Sequence, residues 1–254
     1  MTGGPLNGTV AMLTSRSLLG RKRTFVLMLL PAALLGLCVL ARILGGLDAH
    51  ISRELAGPLP PNLLGAFGIA ILMPLLTLIA GTGAIGPEID EGSIVYLLAK
   101  PLSRHSIVVT KLLVALAVVV AFGVVPIFVA GVVLTGEVGE VTLAFTLGAL
   151  AAGAAYSSLF LLLAVISRNA VVVGLIYALV WESLVGGLVP GAQSLSVQQW
   201  SLAVVVQVLG DSAGRLEVDS AVGFGTAVVL LVLVTVAATF YAGRRLQTLR
   251  ITEG

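Results

Sequence analysis

Long stretches without a charged side chain constrain the fold of this 254-residue chain more than any other feature. Residues 55–87 and 112–136 contain no Asp, Glu, Lys or Arg. About 20 consecutive apolar residues are enough to cross the hydrocarbon core of a bilayer as a helix. We therefore predict an all-α polytopic membrane protein, a single domain over residues 1–254, with six transmembrane helices near residues 24–44, 63–85, 110–134, 142–166, 170–189 and 221–242.

The composition agrees with a membrane protein and excludes several other classes. Hydrophobic residues make up 58% of the chain and charged residues 10%, whereas soluble domains carry about 25% charged residues. The one cysteine, Cys38, cannot form a disulfide within the chain. The two histidines, His50 and His105, are far apart and have no other ligands beside them, so we predict no metal site.

The distribution of lysine and arginine predicts the orientation, because cytoplasmic loops carry an excess of these residues. With a cytoplasmic N-terminus and six spans, eleven of the fourteen basic residues fall on one side and three on the other. The three are Arg42, Arg53 and Arg215. Both termini and the segment between the second and third spans are therefore expected to face the cytoplasm.

That segment, residues 86–111, is the densest polar interruption of the chain. Pro87 suits the first turn of a helix, and the acidic residues that follow favour its positive end. Gly92 and Ser93 indicate a break and a new N-cap, and Pro101 ends the short helix that follows. A short helix with acids at one end and bases at the other is typical of a docking element, while a solvated loop between spans is the alternative.

Three other segments carry weaker predictions. Residues 1–23 form either a cytoplasmic amphipathic helix at the membrane interface or a disordered basic tail. The extracellular loop 190–220 contains an apolar stretch, 197–209, that is too short to span comfortably and reads as an interfacial or re-entrant helix, with Trp200 suited to the headgroup level. The run of small residues at 148–158 allows close helix packing, and we assign it no site.

Glu182 is the one acidic residue inside a predicted span. A charge in hydrocarbon is costly, so such residues usually face a cavity or a partner. Glu182 and its neighbour Trp181 are therefore candidates for a substrate path or a gate. A glutamate that is protonated or hydrogen-bonded at a helix end is the alternative interpretation.

Catalytic and nucleotide-binding motifs are missing. The sequence contains no H-E-x-x-H, no G-x-S-x-G and no Walker A pattern. We therefore predict that the chain is not an enzyme and does not bind ATP through a P-loop. The basic residues flank the predicted spans, so nucleic-acid binding is not expected either.

The 86–111 segment resembles the cytoplasmic segment of ABC type-2 permeases, the membrane subunits of many ATP-binding-cassette exporters. In that family an acid and an E-x-G-[ST] sequence precede apolar residues, a Pro-x-[ST]-Arg turn and a lysine that enters the third span. The residues that the resemblance assigns to coupling with an ATPase subunit are Glu88, Asp90, Glu91, Gly92, Ser93, Tyr96, Leu97, Leu98, Pro101 and Arg104, with Ser103 and Lys111 completing the pattern.

Residues 167–191, with SVQQW at 196–200, are similar to the branch of copper-enzyme maturation permeases. The resemblance implies a coupling helix at 94–99 that docks on a separate ATPase subunit, which would hold ATP and magnesium, and no cofactor in this chain. It implies a second permease chain, identical or different, with the second and fifth spans lining the path. It also implies a prokaryotic plasma membrane and contact with lipid. The absence of a Met, His and Cys series argues against copper as the cargo.

Two alternatives from other classes remain open at this point. An ion-coupled secondary transporter could use Glu182 as its proton site, although the broken helices in matching halves that such folds contain are not evident. A non-transporting scaffold could use residues 86–111 to recruit a cytoplasmic partner.

Overall fold

The computed structural model describes residues 8–18, 21–90, 104–185 and 191–248, and nearly all of these residues are helical. Three of the helices contain π-helical stretches and are treated as continuous. The helices are α1 (Gly8–Leu18), α2 (Arg21–Leu47), α3 (Ala49–Leu55), α4 (Leu59–Leu63, Leu64–Leu72 and Met73–Asp90), α5 (Arg104–Val119, Val120–Val124 and Val125–Thr135), α6 (Glu140–Ile166), α7 (Ala170–Ile176 and Tyr177–Val185), α8 (Val197–Leu209), α9 (Ser212–Arg215) and α10 (Phe224–Thr248).

Five of these helices are long and apolar enough to cross a bilayer, and they are α2, α4, α5, α6 and α10. They coincide with five of the six predicted spans, and the all-α polytopic class is confirmed. The remaining predicted span, 170–189, falls on α7, which has seven α-helical and nine π-helical described residues. At 1.5 Å per residue its α-helical part alone rises about 10 Å. Residues 186–190, where this predicted span ends, lie outside the described residues.

Two of the π-helical stretches lie directly before prolines. One residue, Met73, separates the stretch Leu64–Leu72 from Pro74. One residue, Val125, likewise separates Val120–Val124 from Pro126. A proline has no N–H to donate, and its ring clashes with the carbonyl four residues earlier. Widening the helix by one residue per turn relieves this clash inside a continuous span. The apolar runs therefore continue through their prolines.

The centre of the bundle is α6, which packs against α4, α5, α7, α8 and α10. Its small residues allow the close approach that the sequence predicts. A Cβ atom on Gly148 would lie 2.6 Å from a Val205 methyl and 3.1 Å from the Ser201 carbonyl oxygen of α8. Across α6, a Cβ on Gly81 of α4 would lie 3.1 Å from the Ser157 carbonyl oxygen. The small residues thus bring three helix backbones together.

Side-chain contacts define two ends of the bundle. At one end, Lys111 of α5 contacts Glu88 of α4, and the His105 ring packs on Gly243 of α10. We call this the basic end, because Arg168 and Arg245 lie there too. At the opposite, far end, Arg42 of α2 donates to the Leu134 carbonyl, 3.2 Å away. The helices α2, α4, α5 and α6 therefore alternate in direction, and α10 runs toward the basic end like α6.

We predict that Gly148→Leu destabilises the bundle, because the new side chain must displace α8 from α6. Overpacking of this kind costs about 1–3 kcal/mol. The melting temperature of the detergent-purified protein, followed by circular dichroism, measures the effect. Gly36→Leu is the control, because a Cβ on Gly36 meets nothing within 4 Å. Equal melting temperatures for the two variants would contradict the close packing of α6 on α8.

Candidate coupling base and buried glutamate

The predicted coupling residues lie mostly at 91–103, outside the described residues. The named residues in that stretch are Glu91, Gly92, Ser93, Tyr96, Leu97, Leu98 and Pro101. Three others flank it: Glu88 lies in the last turn of α4, Asp90 is its last residue, and Arg104 is the first residue of α5. The structure therefore shows the base from which the predicted coupling segment leaves the bundle.

Lys111 holds that base together. Its side chain is completely buried, with 0% of its surface exposed, and its Nζ lies 2.7 Å from Oε1 of Glu88. The same Nζ donates to the Ala84 carbonyl oxygen at 2.6 Å and to Thr14 Oγ1 at 3.4 Å. One ammonium group thus joins α1, α4 and α5. The resemblance identified Lys111 as the lysine that enters the third span, and the tertiary structure shows its partners.

The Lys111 contacts explain why this charge is tolerated within an apolar helix. A buried ammonium is stable only when it is paired and its protons are hydrogen-bonded. Here the Glu88 carboxylate neutralises the charge, and a backbone carbonyl and a hydroxyl accept two further hydrogen bonds from the ammonium group. Glu88, predicted to contact an ATPase subunit, is therefore engaged inside this chain by its Oε1 atom.

Glu182 lies in the π-helical part of α7 and is 3% exposed. Its carboxylate accepts hydrogen bonds from the Tyr177 hydroxyl at 3.0 Å and from the Ser196 hydroxyl. It also accepts from two backbone amides, Val197 N at 3.1 Å and Gln198 N at 3.4 Å. Four donors therefore converge on one buried carboxylate, and two of them are the first amides of α8.

This arrangement makes Glu182 a cap for α8. The first amides of a helix have no partner within that helix, and its N-terminus carries a partial positive charge. Ser196 is the N-cap of α8 and accepts from Gln199 N through its side chain. Glu182 accepts hydrogen bonds from the two preceding amides, those of Val197 and Gln198. Its side chain therefore joins α7 to α8. In the sequence, the position of Ser196 directly before the apolar stretch 197–209 is a signal for an N-cap. No comparable pattern predicts the hydrogen bond from Tyr177 to Glu182.

The contacts of α8 place it along α6. Near its start, Glu182 lies close to Tyr156, which is ten residues, or about 15 Å, before the end of α6. Further along, Val205 of α8 packs beside Gly148, closer to the far end. The helix thus begins beside the middle of α6 and runs along it toward the far end, and its interfacial or re-entrant character stays a prediction. Trp200 is 5% exposed and donates to the Ser194 carbonyl, and its placement at the headgroup level stays a prediction.

Aromatic rings fix the Glu182 surroundings. Tyr156 stacks on Phe160 with ring centroids 6.0 Å apart, and Phe160 meets Tyr177 edge to face at 6.1 Å. Gly174 lets α7 approach, because a Cβ there would lie 3.2 Å from the Phe160 ring. Trp181, the other predicted gate residue, is half-buried beside Glu182.

Comparison with known proteins identifies the family. The model of the family described as ABC-2 family transporter protein matches residues 21–240, which include all five long apolar helices almost entirely. The chain belongs to this family. A search of curated proteins found no match. The ABC type-2 resemblance drawn from the sequence is therefore confirmed, and the copper-enzyme branch stays a prediction.

Membership of the ABC-2 family establishes the chain as a multi-pass membrane permease of an ABC transporter. Such a permease is the membrane component and is not itself catalytic, which agrees with the absence of a Walker A motif from the sequence. The family also implies a partnership with an ATP-binding-cassette ATPase.

We predict that Glu88→Gln destabilises the permease by about 1–3 kcal/mol, because Lys111 stays buried without a countercharge. This loss of stability is smaller than that expected for a wholly buried ion pair, since the Glu88 side chain is 25% exposed. Thermal unfolding in detergent measures it. The double variant Glu88→Gln with Lys111→Met is expected to recover part of the loss. Glu137→Gln, at an exposed position at the far end, is the control. Equal losses of stability in Glu88→Gln and Glu137→Gln would disprove the stabilising role of the Glu88–Lys111 ion pair.

We predict that Glu182→Gln loosens the start of α8. The amide keeps one acceptor oxygen and loses the negative charge, and hydrogen bonds to charged groups contribute about 1.5–3 kcal/mol. Hydrogen–deuterium exchange of residues 197–200 should accelerate about tenfold. Glu140→Gln, which removes a carboxylate that binds Ser212 at the far end, should leave this exchange unchanged. Unaltered exchange in Glu182→Gln would show that the carboxylate is not the cap.

Proposed function

We propose that this ABC-2 permease is the membrane-spanning subunit of an exporter and docks a separate cytoplasmic ATPase subunit. The observation that carries the proposal is the family match over 220 residues, 21–240, of a chain with no Walker A motif. ATP and magnesium would bind to the ATPase subunit, and this chain would need no cofactor of its own.

Docking is proposed at the segment between α4 and α5. Its sequence combines acids at Glu88, Asp90 and Glu91 with the apolar residues of 94–99, which would enter a groove on the ATPase surface. The Lys111 contacts support this role, because they tie the ends of α4 and α5 on either side of the segment. A force applied to the docked segment would then reach both spans and α1 together.

A second permease chain is proposed to complete the path beside α4 and α7. The packing of α7 supports this arrangement. Its buried positions recur every four residues, at Ala170, Gly174, Ala178 and Glu182, so one narrow stripe contacts the rest of the chain. Val171, Val172, Leu175 and Leu179, among others, are exposed. In this proposal Glu182 and Trp181 lie beside the path, and Glu182 acts by holding α8.

Export direction and orientation belong to the same proposal. The eleven basic residues expected on one side support cytoplasmic termini, and a prokaryotic plasma membrane is the proposed location. ATP binding would close two ATPase subunits and move the docked segments. Transitions of this kind need only a few kcal/mol of bias between two packed arrangements.

The proposal predicts that Glu91→Arg or Leu97→Asp releases the ATPase subunit. Reversing a charge, or placing a charge in an apolar groove, costs several kcal/mol at a docking surface. A candidate ATP-binding-cassette ATPase subunit from the same organism, co-expressed and pulled down through a tag on the permease, provides the measurement. At least tenfold less ATPase is expected with either variant, and Glu137→Arg at the far end should retain it.

Two outcomes would overturn the proposal. Retention of the ATPase by both variants would exclude docking at 91–103. Transport by the purified permease without nucleotide hydrolysis, abolished by Glu182→Gln, would instead identify the ion-coupled transporter. A scaffold would bind its partner and show no transport.

A further inference from the structure

Two adjoining cavities open at the far end of the bundle and contain charges of both signs. The larger, of about 530 Å³, lies between the α3–α4 turn, the α5–α6 turn and α9, and is lined by Glu137, Glu140 and Arg215. The smaller, of about 440 Å³, shares Thr135 with it and adds Arg42 of α2. We call these two cavities together the far-end crevice. Its size falls within the range of small-molecule sites.

The opposite charges of the far-end crevice are separated rather than paired. The Ser212 hydroxyl donates to Glu140 Oε2 at 3.1 Å and accepts from Arg215 Nη2 at 2.9 Å, so one hydroxyl lies between the carboxylate and the guanidinium. Within the described part of the chain, neither arginine of the crevice forms an ion pair with either glutamate. A guanidinium has five donors and a carboxylate about four acceptor sites, so both keep capacity for a ligand. The crevice is therefore complementary to a zwitterion.

An apolar groove of about 340 Å³ lies deeper in the bundle, between α6, α8 and α10. The residues that line it are Ala151, Ala154, Val204, Val228, Leu231, Val232, Thr235 and Val236. The one polar side chain among them, Thr235, donates its hydroxyl to the Leu231 carbonyl at 2.7 Å. One turn of a helix about 10–12 Å wide occupies more than this volume. The groove therefore suits a narrower apolar chain.

Two helices connect the far-end crevice to the apolar groove. On α6, Glu140, Leu147 and Ala151 follow at spacings of seven and four residues and share one face, on which Leu147 is 46% exposed. On α8, Val204 lies in the groove and Val208, one turn later, is 37% exposed just before α9. Ala151 lies eleven residues, or about 16 Å, from the start of α6. A ligand with a polar head and a long apolar chain therefore fits both cavities.

The depth of the two cavities matches the layers of a bilayer. The far-end crevice lies where the spans α2 and α5 end, at Leu47 and Thr135, and where α6 begins, at Glu140. Headgroups lie at the ends of spans, and acyl chains lie along the spans themselves. No residue that lines the crevice or the groove belongs to α4 or α7, beside which the second permease chain is proposed.

We propose that the far-end crevice and the apolar groove together bind one zwitterionic phospholipid of the phosphatidylethanolamine type. Its ammonium lies at Glu137 and Glu140, its phosphate at Arg215, and one acyl chain runs along Leu147 into the groove. A primary ammonium has three N–H donors for the two carboxylates, whereas the quaternary ammonium of phosphatidylcholine has none. The site needs neither ATPase docking nor transport, so the permease alone is sufficient to test it.

Native mass spectrometry of the full-length permease released from detergent tests the headgroup. Phosphatidylethanolamine and phosphatidylcholine with identical acyl chains are added at equal concentration, and the bound lipid is counted. Wild type is expected to bind phosphatidylethanolamine about tenfold more tightly, because only this lipid donates charge-assisted hydrogen bonds to the carboxylates. Glu140→Gln should reduce the preference to about twofold. Asp219→Asn, at an exposed far-end position that lines neither cavity, should leave it unchanged.

A second variant tests the acyl chain. Ala151→Phe places a ring in the apolar groove and is expected to weaken phosphatidylethanolamine binding about tenfold, because the ring and the acyl chain compete for the same volume. The preference over phosphatidylcholine should persist in the lipid that still binds. Ala33→Phe adds the same ring at an exposed position of α2 and should leave binding unchanged.

Several outcomes would overturn the proposal. Equal binding of the two lipids by wild type, tighter binding of phosphatidylglycerol, or an unchanged preference in Glu140→Gln would exclude the headgroup assignment. Unchanged affinity in Ala151→Phe, or displacement of the lipid from wild type by millimolar glycerophosphoethanolamine, would show that the site recognises a free headgroup and not a lipid.

Should a variant fail to fold, wild type alone still decides the proposal. Phosphatidylethanolamine carrying one or two N-methyl groups is then compared with the parent lipid. Affinity is expected to fall with each methyl group, because each removes one N–H donor. Equal affinity along this series would count against the carboxylate contacts.

Discussion

The first amide groups of a helix have no partner within that helix, and the buried Glu182 carboxylate accepts hydrogen bonds from two of them at the start of α8. The position of α8 relative to α7 depends on this contact. Without an acceptor at that point, two amides at the start of the 13-residue helix α8 would be buried without a hydrogen-bond partner. The same side chain ties α7 to α8, so a movement of one helix is transmitted to the other.

At the basic end, a buried positive charge is likewise compensated by polar groups of neighbouring helices. Lys111 is buried, and its ammonium is compensated by Glu88, Ala84 and Thr14 from two other helices. In each place a charge that would be costly in hydrocarbon is retained because it joins elements that apolar packing alone would leave free to slide. In the proposed exporter, the lysine contact lies below the segment that receives force, and the glutamate contact lies beside the path.

Many features followed from local sequence, because each depends on neighbours along the chain. Uncharged runs predicted the five long helices, and the small residues at 148–158 predicted the close approach of α6 to its neighbours. The π-helical stretches before Pro74 and Pro126 leave these runs unbroken. The level of Trp200 at the headgroups stays a prediction, because aromatic rings suit both headgroups and helix interfaces. The donors around Glu182 come from residues 177 and 196–198, and no local pattern joins them.

The sequence by itself determined that this chain is an all-α membrane protein and that it lacks a P-loop, because hydropathy and motif spacing are local properties. It also indicated the ABC-2 family, which the match over residues 21–240 confirms. Only the tertiary structure decided what the two buried charges do. Lys111 meets Thr14 across 97 positions of sequence and Glu88 across 23, and Glu182 meets Gln198 across 16. The role of a buried charge depends on the partners that packing brings to it. The reason is that the free energy of a charge in hydrocarbon is set by its nearest polar neighbours.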